Sequence, residues 1–263
     1  MLHMKKHLPK RMFTFSKSHF NMVMFKHKRF VQYQLPTNIV GSIKNQLPTI
    51  LIRTFFGTEI LGYYSMTVRV MTVPITFLAT AMGKVFFQQI AEMKRKGKKI
   101  GEYVYANVVN TMKVGIIPLI LILGIGDVLT VWFLGEDWEM AGVFIRIMVV
   151  QNFFNFQMNT MTGFSSVIGK QNYALISCIM QCLGFLVGLS IGKFVFDNVY
   201  IGVAIMSFAF VLVQSAYFSM LFKSIEISVK KYLLFVLKNI GILFGGAFAL
   251  RGICMLLGFV NTF

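Results

Sequence analysis

The stretch VGIIPLILILGIGDVLTVWFL, from Val114 to Leu134, decides the fold. It is a long apolar run in which Asp127 is the one charged residue. A helix needs about 20 predominantly apolar residues to cross the hydrocarbon of a bilayer. Six other parts of the chain have the same character. The seven candidate spans cover residues 32–56, 61–90, 103–134, 140–168, 172–196, 199–222 and 232–260. The sequence therefore predicts an all-α integral membrane protein with about seven transmembrane helices.

Composition independently places the chain in the membrane class. Its mean hydropathy is +0.70, and 56% of its 263 residues are hydrophobic, which exceeds the usual share in soluble domains. The formal net charge of +17 is also typical of nucleic-acid-binding proteins. The basic residues, however, are distributed over several loops and do not follow one face, so we expect no nucleic-acid partner.

The segments between the candidate spans form two groups that alternate along the chain: in one, lysine and arginine outnumber the acidic residues, and in the other, acidic residues occur without lysine or arginine. One group, after the first span, is basic: Lys94, Arg95, Lys96, Lys98, Lys99, Lys170, Lys223, Lys230 and Lys231. The other is acidic: Glu59, Glu136, Asp137, Glu139 and Asp197. By the positive-inside rule, this alternation predicts a cytoplasmic N-terminus and, after seven spans, an external C-terminus.

Residues 1–31 form a basic segment rich in Phe and Met, without an acidic residue. An amphipathic basic segment of this kind binds at the lipid headgroups, and we expect it to lie along the inner leaflet; a disordered basic arm is the alternative. The four histidines all lie here, but their spacing does not match a metal site. We therefore divide the chain into this cytoplasmic arm (1–31), a six-helix transmembrane lobe (32–224), and a linker with the seventh helix (225–263).

Polar residues recur at three- and four-residue steps in three of the candidate spans, so each of these helices carries a polar ribbon. The ribbons comprise Gln34, Asn38, Ser42, Asn45, Gln46, Thr49 and Arg53; Ser65, Arg69, Thr72, Thr76 and Thr80; and Asn152, Asn155, Asn159, Thr162 and Ser166. Polar groups at membrane depth are costly unless they meet one another or water. The ribbons predict a hydrated cavity; hydrogen bonding across helix interfaces is the alternative.

The charges within the spans are mostly positive. The cations within the spans include Lys44, Arg53, Arg69, Lys113, Arg146, Lys238 and Arg251. Such an interior suits an anionic passenger, and the arginine fork is well matched to phosphate oxygens. Arg69 is the principal candidate, whereas Arg53 could equally be an interfacial anchor. Lys44 and Arg146 fall off the polar faces, so we expect them to snorkel or to make interhelical contacts.

Several segments resemble the polysaccharide and O-antigen flippases of the multidrug/oligosaccharidyl-lipid/polysaccharide exporter superfamily. These are QLPTILIRTFFGTEILGYYSMTVRVMTVP from Gln46 to Pro74, FLGEDWEMAGVFIR from Phe133 to Arg146, and GFSSVIGKQNY from Gly163 to Tyr173. The resemblance implies a helical, two-lobed transporter of undecaprenyl-pyrophosphate-linked oligosaccharide in a bacterial cytoplasmic (inner) membrane. It also implies that Arg69 neutralises the pyrophosphate while asparagines such as Asn38, Asn45, Asn152 and Asn155 meet sugar hydroxyls.

The chain departs from this family in length, because members usually have twelve or fourteen spans. Its seven spans correspond to the second, C-terminal lobe and a trailing helix. The expected partners are the lipid bilayer, a lipid-linked oligosaccharide and a separate first-lobe membrane chain. A truncated gene product is the alternative to such a split transporter.

Three other functions remain open on the sequence. A drug or cation antiporter of the same superfamily would need a carboxylate at mid-depth in the membrane to couple transport to cation movement, and the spans do not supply one. A membrane-embedded glycan polymerase or glycosyltransferase would place its chemistry at the acidic cluster of Glu136, Asp137 and Glu139, which we interpret as a solvated turn. The third is a structural role. Because nucleotide-binding and catalytic-triad motifs are lacking, we expect a non-enzyme without a cofactor.

Overall fold

The computed structural model describes Met22 and residues 30–256, and the regular secondary structure within this part of the chain is all helical. A π-helical turn, Phe30–Gln34, leads into α1 (Leu35–Arg95), and a 3₁₀ turn, Glu136–Trp138, precedes α3. The remaining helices are α2 (Gly101–Leu134), α3 (Glu139–Thr160), α4 (Phe164–Val167), α5 (Gln171–Phe194), α6 (Val199–Lys223) and α7 (Val229–Leu256). The predictions for the arm before residue 30, including its four histidines, fall outside the described residues, Met22 apart.

Hydropathy and length confirm that the chain is an all-α membrane protein. Four described helices, α2, α5, α6 and α7, are long and apolar enough to cross a membrane. The helical stretches Val31–Val73 and Ile75–Arg95, which are bent by 42° on either side of Pro74, pass the same test together and add a fifth candidate. The total of seven spans stays a prediction, since α3 carries a larger share of polar residues than α2, α5, α6 and α7 and is not among the candidates.

Helix α1 consists of two helical segments, 35–56 and 58–95, which meet at Gly57. Gly57 has φ +92° and ψ 177°, a conformation that favours glycine, so the helical path is interrupted at this residue. The segment 35–56 runs alongside α5, because Val40 contacts Cys182 near its beginning and Phe55 contacts Phe194 at its end. The break therefore lies at the end of the bundle where α5 also ends.

The segment 58–95 runs alongside α3 in the same direction. The Thr67 hydroxyl donates to the carbonyl of Ala141 over 2.9 Å, and further along Gly83 approaches the backbone of Asn159. Because α3 and α5 are joined by a short connection and run in opposite directions, the two segments of α1 are antiparallel. The sequence prediction of two separate helices, 32–56 and 61–90, agrees with this arrangement.

The candidate span 140–168 is shorter and broken in the structure. Helix α3 ends at Thr160, and Gly163 adopts a left-handed conformation with φ +76° before the short helix α4. The sequence prediction missed this break, because the polar ribbon of the candidate span continues at helical spacing across it, from Asn159 to Thr162 and Ser166.

Helices α5 and α6 form the most intimate pair in the bundle. Gly184, Gly188 and Gly192 follow one another at four-residue steps in α5, and all three face α6. A Cβ atom at Gly192 would lie 2.3 Å from the Cα of Gly202, so the two backbones are in direct contact there. Helix α7 stands apart from this pair and packs mainly on α2.

Candidate functional site

A cavity of about 790 Å³ lies between both segments of α1 and helices α3, α5 and α6. Its lining is polar on the side of α1 and α3 and more apolar toward α5 and α6, where Phe185 and Phe210 contribute. The polar residues that line it are Thr37, Asn38, Ser42, Lys44, Asn45, Thr72, Gln151, Asn152, Asn155 and Asn159. One cavity thus brings together three segments of the chain that each carry a polar ribbon.

Seven of the ten candidate residues from the sequence line this cavity: Asn38, Ser42, Asn45, Thr72, Asn152, Asn155 and Asn159. Arg53, Arg69 and Thr76 do not line it, and all three side chains are exposed. Arg69, the principal candidate from the sequence, is therefore beside the cavity and not in its wall. Its proposed contact with a phosphate group inside the cavity has no support from its position.

The angular positions of the side chains explain this difference. At about 100° per residue, the ribbon of the segment 35–56 is centred about 70° away from the residues that line the cavity, and the ribbon of 58–95 about 85° away. Both ribbons therefore pass from the cavity wall onto an exposed flank that includes Arg53 and Arg69. In α3 the ribbon and the cavity face coincide, so Asn152, Asn155 and Asn159 all line the cavity.

Lys44 is the charged residue of the cavity. Among the described residues that line the cavity, no other side chain carries a charge, and no ion pair within the described residues involves Lys44. Its side chain is half-buried, about midway along the segment 35–56. The sequence predicts that Lys44 lies off the polar ribbon and snorkels or makes interhelical contacts, whereas the structure places it in the cavity wall, because the cavity extends past the ribbon toward α5, where Cys178 also lines it.

The asparagines that line the cavity differ in whether their side-chain amides form hydrogen bonds within the protein. The Asn152 amide donates to the carbonyl of Met148 over 2.9 Å and contacts the sulfur of Met71. Within the described part of the chain, the side chains of Asn45, Asn155 and Asn159 make no hydrogen bond. These three amides are therefore free to bond water or a ligand that enters the cavity.

Buried hydrogen bonds fix the wall behind these residues. The Ser207 hydroxyl of α6 donates to Oε1 of Gln151 over 2.8 Å, which joins α6 to α3. The Gln181 amide donates to Oε1 of Gln214 over 3.0 Å, which joins α5 to α6. These contacts hold three of the cavity helices in register.

Two of the cations within the predicted spans have a structural partner instead of a ligand. Arg146 forms an ion pair with Asp127, and Nη1 of Arg251 lies 3.0 Å from the other carboxylate oxygen of Asp127 and 3.1 Å from the carbonyl oxygen of Gly124. This cluster joins α2, α3 and α7. The interhelical alternative for Arg146 is confirmed, and Arg251 does not contribute to a cationic passage, because neither arginine lines the cavity.

A family model described as "Polysaccharide biosynthesis protein" matches residues 6–143, more than half of the chain. The chain is also 24% identical over 131 residues to the teichuronic acid biosynthesis protein TuaB of Bacillus subtilis (strain 168). That alignment covers 49% of this chain and 27% of the relative, so the chain matches much less than two thirds of that protein. No solved structure matches.

Proposed function

Because the chain belongs to the polysaccharide biosynthesis protein family, we propose that it moves a lipid-linked oligosaccharide across a bacterial cytoplasmic membrane during the synthesis of a polysaccharide. The passenger would carry an anionic linkage, undecaprenyl pyrophosphate in the first instance. The chain acts in this proposal as a transporter and not as an enzyme, with its N-terminus in the cytoplasm. Its similarity to a teichuronic acid biosynthesis protein supports a role in polysaccharide biosynthesis.

The observation that carries the proposal is the position of Lys44 in a cavity that is otherwise uncharged. A lysine at membrane depth without a carboxylate partner is costly, and such residues mark pathways for ions or substrates. An ammonium group is a point charge that binds phosphate oxygens in proteins. We therefore assign Lys44, in place of Arg69, to the phosphate groups of the passenger.

The amides around Lys44 fit the sugar part of the same passenger. Asn45, Asn155 and Asn159 offer donors and acceptors without partners in the described protein, and these are the groups that pair with sugar hydroxyls. The opposite wall, with Phe185 and Phe210, supplies an apolar surface. A cavity with one cation, free amides and an aromatic wall suits an amphiphilic anion better than a small inorganic ion.

The exposed polar flank beside the cavity supports a partner lobe. Arg69, Thr76 and Thr80 are exposed on the segment 58–95, yet an arginine that faces lipid at this depth is energetically unfavourable. A second set of helices over the flank would shelter these groups and enclose the cavity. We propose that a first lobe, supplied by another membrane chain, covers this flank.

Replacing Lys44 with Gln should lower export of the glycan at least about tenfold, since a charge-assisted hydrogen bond contributes about 1.5–3 kcal/mol. The measurement is surface polysaccharide in the native host, together with the amount of lipid-linked precursor retained inside. Lys44→Arg should keep most of the export, because it keeps the charge. Lys113→Gln is the matched control, because Lys113 lies within α2 and does not line the cavity.

Protein levels in the membrane must be equal for the comparison to hold, and immunoblotting of membrane fractions measures them. Export by Lys44→Gln at the wild-type rate, with normal protein levels, would contradict the assignment of Lys44. An equal loss in Lys113→Gln would also contradict it, because it would show that any lysine within the spans has the same effect.

A further inference from the structure

A second cavity, of about 670 Å³, lies at the lysine-rich end of the bundle. It is formed by the connector between α1 and α2 and by the connector between α6 and α7. The residues that line it are Lys94, Lys98, Lys99, Ile100, Gly101, Glu102, Tyr105, Ser224, Ile225, Glu226, Ile227, Ser228 and Lys231. We call it the connector cavity; it shares no residue with the cavity that contains Lys44.

The lining of the connector cavity is net positive. It contains four lysines and two glutamates, which gives a formal charge of +2. Within the described residues, Lys94, Lys98 and Lys99 take part in no ion pair. The ammonium group of Lys231 lies 4.5 Å from the centre of the Tyr105 ring, which keeps this charge at the cavity. The cavity therefore presents several cations without a fixed counter-ion.

The neighbouring carboxylate of Glu92 does not neutralise these lysines. It accepts a hydrogen bond of 2.5 Å from Lys96, which is not a lining residue. This hydrogen bond and the charge of Lys96 lower the pKa of Glu92, so the pair stays ionised and self-contained.

Two helix beginnings add to the positive potential. Helix α2 begins at Gly101 and helix α7 at Val229, and residues at both beginnings line the cavity. The first N–H groups of a helix lack partners within the helix and carry partial positive charge. No side chain caps the first turn of α2. The helix ends supplement the lysines, which remain the principal attraction for an anion.

The cavity also has an apolar side, formed by Ile100, Ile225 and Ile227. All three are buried or half-buried, next to the charged groups. A free phosphate ion would gain nothing from such a surface, whereas the glycerol and the upper acyl chain of a phospholipid would. The connectors join membrane-spanning helices, so the cavity lies at the level of the lipid headgroups.

We propose that the connector cavity binds the phosphodiester headgroup of an anionic phospholipid. Basic pockets between transmembrane helices on the cytoplasmic side recognise such headgroups, and the lysine-rich end of this bundle is the one that the positive-inside rule assigns to the cytoplasm. The lysines bind the phosphate, and the isoleucines contact the glycerol and the first carbons of the chains. The bound lipid links the α1–α2 connector to the α6–α7 connector.

The test is titration of the full chain, purified in maltoside micelles, with dioleoylphosphatidylglycerol, dioleoylphosphatidylcholine or sodium phosphate. Native mass spectrometry counts the lipids bound at each concentration. Phosphatidylglycerol should bind at least about tenfold more tightly than phosphatidylcholine. The triple substitution of Lys94, Lys98 and Lys99 by Gln should weaken binding of phosphatidylglycerol at least about tenfold, since each lysine near a membrane surface contributes about 1 kcal/mol.

The matched control is the triple substitution of Arg95, Lys223 and Lys230 by Gln. It removes the same charge from the same end of the bundle, and none of its residues lines the cavity. Binding in this control should stay within about threefold of the wild type. Replacing Lys94, Lys98 and Lys99 by Arg should preserve binding, which separates the loss of charge from a folding defect. Equal weakening in both triple Gln variants, or displacement of the lipid by millimolar phosphate, would overturn the proposal.

Discussion

Replacing Asp127 with Ala is expected to lower the free energy of unfolding by about 3–5 kcal/mol. The carboxylate contacts both Arg146 and Arg251, and the side chain of Arg251 is only 9% exposed. Removing one member of a buried ion cluster leaves the remaining charges without compensation in a medium of low dielectric. The expected loss is large because the cluster joins three helices, and α7 has few other contacts outside α2.

Unfolding of the full chain in mixed micelles with increasing SDS measures this effect. Asp137→Ala is the control, because Asp137 lies in the turn between α2 and α3 and is exposed; its substitution should change stability by less than about 0.5 kcal/mol. Replacing Asp127 and Arg251 together by Leu and Met should recover part of the loss, since it removes the charge of Arg251, the more buried of the two arginines, and leaves only Arg146 without its partner. Wild-type stability of Asp127→Ala would contradict the structural role of the cluster.

Replacing Gly192 with Ala should destabilise the protein by about 1–3 kcal/mol, the usual cost of inserting a methyl group into a closely packed interface. The new Cβ would lie 2.3 Å from the Cα and 2.7 Å from the N of Gly202. Both of these are backbone atoms, so no side-chain rotation can make room. Helices α5 and α6 would have to separate, and the Gln181–Gln214 hydrogen bond would lengthen with them.

Gly241→Ala provides the same chemical change in a place without neighbours. Gly241 lies in α7, and no atom outside its own helix comes within 4 Å of a Cβ built there. Alanine has the higher helix propensity, so this variant should be unchanged or slightly more stable than the wild type. If Gly192→Ala and Gly241→Ala unfold at the same SDS fraction, the close contact of α5 and α6 is not present in the membrane.

Hydropathy was sufficient to predict most of the helices. The predicted spans 103–134 and 199–222 lie within one or two residues of α2 and α6, because a long apolar run leaves only one way to satisfy the backbone in lipid. The break between the first two spans was also predictable, since Gly57 and Glu59 interrupt the apolar pattern. The break at Gly163 was not, because Asn159, Thr162 and Ser166 keep the spacing of a continuous helix across it.

The candidate site was predictable in part. Polar periodicity identified the helices that form the cavity, and in α3 it identified the residues as well. In the two segments of α1 the same periodicity selected Arg69 and excluded Lys44, because an exposed flank and a cavity wall both favour polar residues. Only the packing of α5 against the segment 35–56 determines which side of that segment is enclosed.

The ion cluster of Asp127, Arg146 and Arg251 could not be found from the sequence, because its members are 19 and 124 residues apart. The sequence shows the charges of Arg146 and Arg251, which contribute to the prediction of a cation-rich interior. In the structure, the carboxylate of Asp127 compensates both. An excess of cations within the spans therefore indicates a passage for anions only when it is known which of these cations form ion pairs with carboxylates on other helices.

The most direct measurement of the central claim is the lipid that copurifies with the full chain from native membranes in mild detergent, identified by mass spectrometry. The wild type and Lys44→Arg should retain a pyrophosphate-linked glycolipid, Lys113→Gln should retain it equally, and Lys44→Gln should lose most of it. This result would place the anionic linkage of the passenger at Lys44. Recovery of the same glycolipid with Lys44→Gln as with the wild type, or of none with any variant, would contradict the account.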